Sequence, residues 1–307
     1  MSTPAIDALD RARTVVILAV SPLEQHGPHL PIGVDAFAAR FFAESIAERL
    51  VTARPGWTVL LTPTLHLGSF TFDAAGTISV RQRVVRDALV DYGASLARAG
   101  FRYLFVSNGH GGPTHLTALE EASSIVSRRH GVMMASFTGH LAWQFLRGQY
   151  TERVEAALGR ALTDAERGAF AEDAHGGWWE TSLMLMLRPD LVDAAYRHLP
   201  PARYALVERL VPNYPLRGDG QGYVGHPALA DAEFAKATVE VLLTEALALV
   251  SDLIDGRLRP AQARSPFFVI PPFRTDFWRG LAAAAVLGGA LVAIVAARRA
   301  GRGDTPA

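Results

Sequence analysis

TVVILAVSPLEQHGPHLPIGVD, residues 14–35, is the stretch that decides the fold. Its first seven residues are typical of a strand buried on both faces of a parallel sheet. Glu24 and His26 follow, and they point the same way because side chains alternate along an extended chain. The glycines and prolines after them form an irregular loop, which can bring Asp35 back to the pair just before a helical pattern begins. Carboxylates and imidazoles bind metal ions, so this stretch predicts a metal site at the end of a buried strand.

Strand and helix patterns alternate along the rest of the first half of the chain. Helical spacing of apolar residues covers 35–51, 80–99 and 113–129, and short apolar strands cover 57–61, 103–106 and 132–137. This alternation predicts an α/β domain with a mainly parallel sheet flanked by helices on both faces. We expect the domain to span 13–256 and to close with a helix over 232–254. In such sheets the ligand site lies beyond the carboxyl ends of the strands, where 24–35 and 108–112 both fall.

Composition limits the chemistry. The 307 residues include 30 basic and 30 acidic residues and no cysteine. A balanced charge without a basic block gives no indication of a nucleic-acid partner and favours a small-molecule or short-peptide substrate. Without cysteine, a metal must be held by histidine and carboxylate side chains.

Three segments resemble the motifs of the creatininase family of metal-dependent amidohydrolases. They are EQHGPHLPIGVD at 24–35, SNGHGG at 107–112 and DAHGGWWETS at 173–182. A fourth, GYVGHP at 222–227, is similar to a late Gly-x-x-Gly-Asp-Pro loop of that family, with His226 where aspartate is more usual. The resemblance covers about residues 12–256 and implies the creatininase-like three-layer sandwich and a homo-oligomer, often a hexamer.

The resemblance also implies a ligand set for two divalent ions, zinc and/or manganese, with iron possible. By analogy Asp35 bridges the ions, Glu24 and His110 complete one site, and His26 and Glu180 complete the other. One departure bears on the second ion: creatininase itself carries a glutamate two residues after the histidine of the second motif, where this chain has Gly112. The second ion must then depend on Glu180.

His175 is the candidate for proton transfer to the leaving nitrogen, because imidazole titrates near neutral pH. The alternative is a histidine that caps the helix carrying Glu180. Gly111 and Gly112 let the backbone approach a substrate, or they only form a tight turn. Trp178 and Trp179 are candidate pocket walls for a planar ligand, although simple helix packing explains them equally well.

The predicted activity is hydrolysis of a carbon–nitrogen amide bond, cyclic or linear and other than a peptide bond, by water activated between two ions. Two alternatives within the family are a peptidase of the mycofactocin-maturation type and a formamide hydrolase. Outside enzymes, the alternatives are a membrane-tethered metal-binding scaffold, indicated by Gly112, and a module that binds a single ion.

Both ends of the chain differ from the domain. Residues 1–12 are predicted to be a disordered lead, and 257–279 a proline-bearing linker. Residues 280–297 carry no charge, and at about 1.5 Å per residue they span roughly 27 Å, enough for a bilayer core. Trp278 before this run and arginines in the 298–307 tail predict a membrane anchor. The tail arginines favour a cytoplasmic C-terminus with the catalytic domain outside, but the chain carries no recognisable export signal ahead of the domain, so we expect the domain in the cytoplasm. The alternative is an alanine-rich helix packed against the domain or a neighbouring subunit.

Overall fold

A parallel sheet of four strands forms the centre of the molecule, in a computed structural model that describes residues 1–205 and 207–300. The strands are β1 (Thr14–Ala19), β2 (Thr58–Leu61), β3 (Tyr103–Ser107) and β4 (Met133–Ser136). Their order is β2-β1-β3-β4 and every pairing is parallel. All six residues of β1 are buried, as expected for a strand covered on both faces.

Ten α-helices occur among the described residues. They are α1 (Thr3–Asp7), α2 (Val34–Ala53), α3 (Gln82–Arg98), α4 (Pro113–His130), α5 (Thr138–Leu146), α6 (Thr151–Leu158), α7 (Asp164–Glu172), α8 (Trp178–Leu187), α9 (Ala232–Ile254) and α10 (Phe277–Ala300). Between α8 and α9 the described residues form short 3₁₀ turns. The predicted helix over 232–254 has the same bounds in the structure.

The strands divide their side chains between two hydrophobic layers. Val15 and Ile17 of β1 pack with residues of α2 and α9 in one cluster. Val16 and Leu18 pack with residues of α3 and α4 in the other. The chain is therefore a three-layer α/β sandwich with helices on both faces of a parallel sheet, which confirms the predicted fold class.

The N-terminal segment differs from the prediction of a disordered lead. Thr3–Asp7 forms the short helix α1, with a proline in its first turn. Ile6 and Leu9 pack against the α3–α4 cluster, and Arg11 Nε donates a hydrogen bond to the Ala99 carbonyl. These tertiary contacts order a segment whose local sequence carries no strong helical signal.

Residues 257–276, here the C-terminal connector, are also more ordered than the predicted linker. The connector lies along α4, where Ala263 and Ser265 are buried. The Ser265 amide donates to Glu120 Oε1 at 2.7 Å, and its hydroxyl donates to Glu120 Oε2 at 3.1 Å. Arg274 forms an ion pair with Glu121. Paired polar groups on α4 thus hold a segment that its prolines alone would leave extended.

Helix α10 projects away from the domain. Its window Phe277–Ile294 has a mean hydropathy of 1.7, and no part of it is buried. By length and composition this helix could cross a membrane, and in the described residues it packs against no other helix that would hide its apolar side chains. Of the predicted tail, residues 301–307 lie outside the described part of the chain.

Candidate metal centre

The predicted ligands meet beyond the carboxyl ends of β1 and β3, the neighbouring strands from which the connections diverge to opposite edges of the sheet. Glu24 and His26 follow β1, Asp35 lies in the first turn of α2, His110 follows β3, and Glu180 lies in the first turn of α8. A network ties the β1 and β3 loops together: the Ser21 hydroxyl donates to Asn108 Oδ1 at 2.9 Å and accepts from the Gly109 amide at 2.8 Å.

The two carboxylate oxygens of Asp35 face two different groups of ligands. Oδ1 lies 3.3 Å from His26 Nε2, which is 3.6 Å from Glu180 Oε2. Oδ2 lies 3.4 Å from His110 Nδ1, which is 3.0 Å from Glu24 Oε2. In each group the candidate ligand atoms lie within 4.8 Å of one another. Asp35 is therefore shared by two three-residue groups, as a bridging carboxylate would be.

Backbone carbonyls fix which nitrogen of each histidine faces the cluster. His26 Nδ1 lies 3.0 Å from the Glu24 carbonyl oxygen, and His110 Nε2 lies 3.2 Å from that of Ser69. A carbonyl can only accept, so these two nitrogens carry the protons in the neutral rings. The lone pairs of His26 Nε2 and His110 Nδ1 then point at the carboxylates, an arrangement of two facing acceptors that a proton or a metal ion between them would relieve.

The buried polar atoms of the cluster fit that interpretation. Glu24 Oε2, His26 Nε2 and Asp35 Oδ2 are buried without a hydrogen-bond partner. Glu24 Oε2 and His110 Nδ1 approach closely, but not along the direction that a hydrogen bond requires. Burying such atoms unsatisfied costs free energy, and a bound cation would satisfy them. Imidazole and carboxylate ligands without thiolate suit zinc or manganese.

Titration of the cluster follows from the same contacts. Burial lowers the pKa of His26, but the carboxylates of Asp35 and Glu180 outweigh this and raise it to about 10. Burial raises the pKa of Asp35, yet the positive charges of His26 and His110 lower it below its usual range. Burial raises the pKa of Glu180 to about 7. In the absence of metal, protons on the two histidines balance the carboxylates.

His175 lies against the cluster. Its ring centroid is 4.1 Å from that of His26, and Nε2 donates to the Gln25 carbonyl at 2.7 Å. Its backbone forms a β-bridge with Val224, so the segment 222–227 positions it. Burial, followed by the charge of His26, lowers the pKa of His175 to about 4. The ring is therefore neutral at physiological pH, with its proton on Nε2.

Several supporting residues were missed in the sequence. Asn108 Oδ1 accepts from the His110 amide at 3.0 Å, and its side-chain amide donates to the His110 carbonyl at 2.6 Å. The Phe72 amide donates to Glu24 Oε1 at 2.6 Å. Asp173 accepts from the amides of Trp178 and Trp179 and so caps the helix that carries Glu180. Asn108 and Asp173 lie inside the quoted motifs, which was the available signal, whereas the 62–77 loop that holds Phe72 has no pattern.

A cavity of about 110 Å³ opens beside the cluster and is lined mostly by apolar side chains. Its walls include Glu180, Gly111, Trp179, Phe137 and Leu141. Glu180 is also the most exposed of the five predicted ligands, with 13% of its side chain accessible. A substrate in this cavity would therefore meet the cluster on the Glu180 side.

Two predicted pocket residues do not line this cavity. Trp178 is buried in a separate cluster, where it stacks on Phe234 with ring centroids 4.2 Å apart, so its role in the structure is packing. Gly112 makes room for His110: a Cβ there would lie 2.4 Å from His110 Nε2. A glutamate at 112 therefore does not fit this placement of His110. His226 lies away from the ligand groups and contacts Glu172 at 2.8 Å.

Comparison with known proteins agrees with this geometry. The model of the family described as "Creatinine amidohydrolase" matches residues 1–250. The chain belongs to the creatininase family. The structure "Creatininase Mn" superposes with a TM-score of 0.61 at 23% identity and covers 82% of this chain and 96% of that one. At that identity the likeness concerns the fold.

Three relatives with named activities differ in what they act on. A mycofactocin precursor peptide peptidase of Mycobacterium ulcerans is 32% identical over 187 residues, 58% of this chain and 60% of its own length. A creatinine amidohydrolase of Pseudomonas putida is 28% identical over 242 residues, covering 74% of this chain and 85% of that protein. A 3-dehydro-scyllo-inosose hydrolase of Thermotoga maritima is 27% identical over 277 residues, covering 82% of each.

The chain spans about three fifths of the length of the mycofactocin peptidases it matches. Membership of the creatininase family makes it a relative of metal-dependent amidohydrolases, while the substrate differs from one relative to the next.

Proposed function

We propose that this protein is a dinuclear metal-dependent hydrolase that cleaves a carbon–nitrogen amide bond. The observation that carries the proposal is the position of Asp35, whose two oxygens face the His26–Glu180 pair and the Glu24–His110 pair. The unsatisfied buried atoms at the same point support it. Zinc and manganese are the ions that this set of ligands favours.

Two bound divalent ions would supply Lewis-acid chemistry, lowering the pKa of a water molecule and polarising the substrate carbonyl. The protein residues hold the ligands rigidly, because Glu24, His26, Asp35 and His110 are all buried and each histidine is oriented by a backbone carbonyl. Such preorganisation keeps the ligand geometry fixed during reaction and excludes bulk water from the site.

His175 is the proposed proton carrier. Its low pKa leaves the ring neutral, so it first accepts a proton and then delivers it to the nitrogen of the departing amine. The hydrogen bond from Nε2 to Gln25 leaves Nδ1 as the atom that accepts and donates this proton. The 222–225 segment holds the ring in place through the bridge to Val224.

The apolar cavity bears on which kind of substrate the site accepts. Its walls include Phe42, Phe137, Leu141 and Phe145, which suit an apolar side chain next to the scissile amide better than a small polar ring. We therefore propose an amide with an apolar substituent as the preferred substrate. A short peptide, cleaved as by a peptidase of the mycofactocin-maturation type, is the second candidate, and creatinine and formamides are the competing substrates in the test.

Metal content tests the dinuclear site. The full chain, loaded with zinc or manganese and freed of excess metal, should carry two ions per protomer by elemental analysis. Asp35→Ala should lose both, and Glu180→Ala should lose one. Glu44→Ala is the matched control, since the Glu44 carboxylate is largely exposed on the same helix as Asp35 and, in the described part of the chain, pairs with Arg40 alone. Two ions in all three variants would refute the site and leave the scaffold interpretation.

A substrate panel tests the reaction. Short peptides with apolar residues, formamides and creatinine are compared by release of free amine from the metal-loaded protein. We expect turnover of apolar peptides or amides, and loss of turnover in His175→Asn with metal content unchanged. Turnover of creatinine alone would contradict the proposed substrate class.

We further propose that α10 anchors the protein in a membrane, with the catalytic domain in the cytoplasm. The support is an exposed 18-residue apolar window of α10, Phe277–Ile294, with Trp278 at its start. Alkaline carbonate should leave the full chain in the membrane fraction. Leu287→Arg combined with Leu291→Arg should release it, whereas Val269→Arg, a change on the exposed connector, should not. Release of the wild-type chain by carbonate would refute the anchor.

A further inference from the structure

Two cavities flank the segment in which the connector passes into α10. The first, about 420 Å³, is lined by Arg86, Arg128, Arg264 and Arg274 together with Phe268, Glu121 and Asp276. The second, about 400 Å³, is lined by Arg81, Arg83 and Arg279 and by no acidic residue. We call the two cavities the arginine groove. No step of the proposed hydrolysis uses it, because its walls come from α3, α4, the connector and the start of α10.

Specific contacts hold the arginine side chains of the first cavity in place. The guanidinium carbons of Arg264 and Arg274 each lie 4.1 Å from the centre of the Phe268 ring, which holds both side chains. Arg264 also donates to the Ser124 hydroxyl at 2.7 Å, and Arg128 Nε donates to the Ser124 carbonyl at 3.2 Å. Stacked and hydrogen-bonded guanidiniums present a fixed set of donors suited to phosphate oxygens.

The arginine groove has more positive than negative charge. Its seven arginines face three carboxylates: Asp87 pairs with Arg83 and Arg86, Asp276 pairs with Arg86 and Arg279, and Glu121 pairs with Arg274. Within the described residues, Arg128 and Arg264 have no carboxylate at ion-pair distance. Burial, and then the neighbouring guanidiniums, lower the pKa of Arg264, although Glu120 acts in the opposite direction. In a chain with no net charge, this concentration of arginines is a local excess that an anion would relieve.

The position of the groove indicates which anion. Helix α10 begins at Phe277, a residue that itself lines the first cavity, and Trp278 follows with 61% of its surface exposed. Tryptophan at the start of an apolar helix marks the level of lipid headgroups. Arginines at that level face the phosphates of the bilayer surface, which is anionic on the cytoplasmic side.

We propose that the arginine groove binds the phosphodiester of an anionic phospholipid where α10 enters the membrane. The proposal rests on the proposed membrane anchor. It assigns the connector a role beyond that of a tether: it orients the domain against the bilayer by holding a lipid headgroup between α4 and α10.

Thermal unfolding of the full chain in dodecyl maltoside micelles tests the groove. Phosphatidylglycerol added to about ten times its Kd should raise Tm by about 2–4 °C, whereas phosphatidylcholine should leave it unchanged. Sodium phosphate at matched ionic strength should also leave it unchanged. An equal rise with phosphatidylcholine, or with inorganic phosphate alone, would overturn the assignment to an anionic lipid.

Substitutions localise the effect. Arg128→Gln with Arg264→Gln should remove more than half of the phosphatidylglycerol shift, and Arg128→Gln alone should reduce it. Arg128→Gln alone is included because Arg128 is exposed, so this substitution should leave the fold intact. Arg40→Gln with Arg160→Gln removes the same charge from two exposed ion pairs elsewhere and should keep the full shift. An undiminished shift in the groove variants would refute the proposal.

The micelle assay separates this proposal from the anchor. Carbonate extraction reports whether α10 holds the chain in a bilayer, and it does not depend on lipid charge. The lipid-dependent shift in micelles needs no bilayer. A chain retained by membranes but indifferent to phosphatidylglycerol would refute the arginine groove alone.

Discussion

Gly109→Ala is expected to disrupt the metal centre although position 109 carries no ligand. A Cβ at this position would lie 2.2 Å from the Asp35 carbonyl oxygen and 2.9 Å from Ala38 Cβ. Ordinary contact begins near 3.4 Å, so the β3 loop and the start of α2 must separate by about 1.2 Å. Overpacking of this kind lowers the free energy of unfolding by about 1–3 kcal/mol.

The same separation moves Asp35 relative to His110. A misplacement of about 1 Å at a reaction centre costs roughly a hundredfold in rate. We therefore expect Gly109→Ala to lose at least one ion by elemental analysis and about 2–4 °C of Tm for each kcal/mol lost.

Gly111→Ala is the matched control in the same motif. A Cβ at Gly111 meets no atom within 4 Å, so stability and metal content should be unchanged. Because Gly111 lines the apolar cavity, its effect should be confined to KM. If Gly109→Ala keeps two ions and the wild-type Tm, the close approach of the two loops does not position Asp35, and the reasoning is refuted.

Three further changes test other parts of the structure. Burial raises the pKa of Glu120 to about 7, so the native state binds its proton more tightly than the unfolded state. The contribution of Glu120 to the free energy of unfolding should be complete below the ordinary pKa of a glutamate and fall by up to about 3 kcal/mol as the pH rises to 7. Urea titrations of Glu120→Gln should show no such fall. Trp178→Ala, which removes the stack on Phe234, should cost about 3–5 kcal/mol in urea unfolding, whereas Trp179→Phe should cost less and change KM. Asp173→Ala removes a helix cap and should cost about 1–2 kcal/mol and weaken the binding of one ion; an unchanged unfolding curve would contradict the capping role.

Local patterns predicted the main elements well. The strand at 14–20 and the helices at 113–129 and 232–254 follow from hydrophobic periodicity, which acts over a few residues. The predicted order of motifs at the carboxyl ends of strands also agrees with the observed sheet. The assignment of ligands to two ions stays a prediction, to be tested by metal content.

The errors fall where distant contacts decide the structure. Residues 3–7 form α1 instead of a disordered lead because Ile6 and Leu9 pack against apolar residues of α3 and α4. The predicted linker is an ordered connector because the carboxylates of Glu120 and Glu121 bind the Ser265 amide and the Arg274 guanidinium. In the sequence these two glutamates look like ordinary residues of a helix surface. For Trp178, of the two alternatives left open, the structure has packing, because Phe234, far along the chain, lies over its ring.

The sequence by itself determined the class of the fold and the types of side chain at the centre. A buried strand run, a Gly/Pro loop and the residue types of the motifs are local properties, and they are enough to indicate a metal site without thiolate. The tertiary structure alone decided how those side chains face one another. Which Asp35 oxygen meets which histidine, and which ring nitrogen carries the proton, depend on backbone carbonyls and loops brought together by the sheet. Distances between segments remote in sequence arise only when the strands pair and the helices pack.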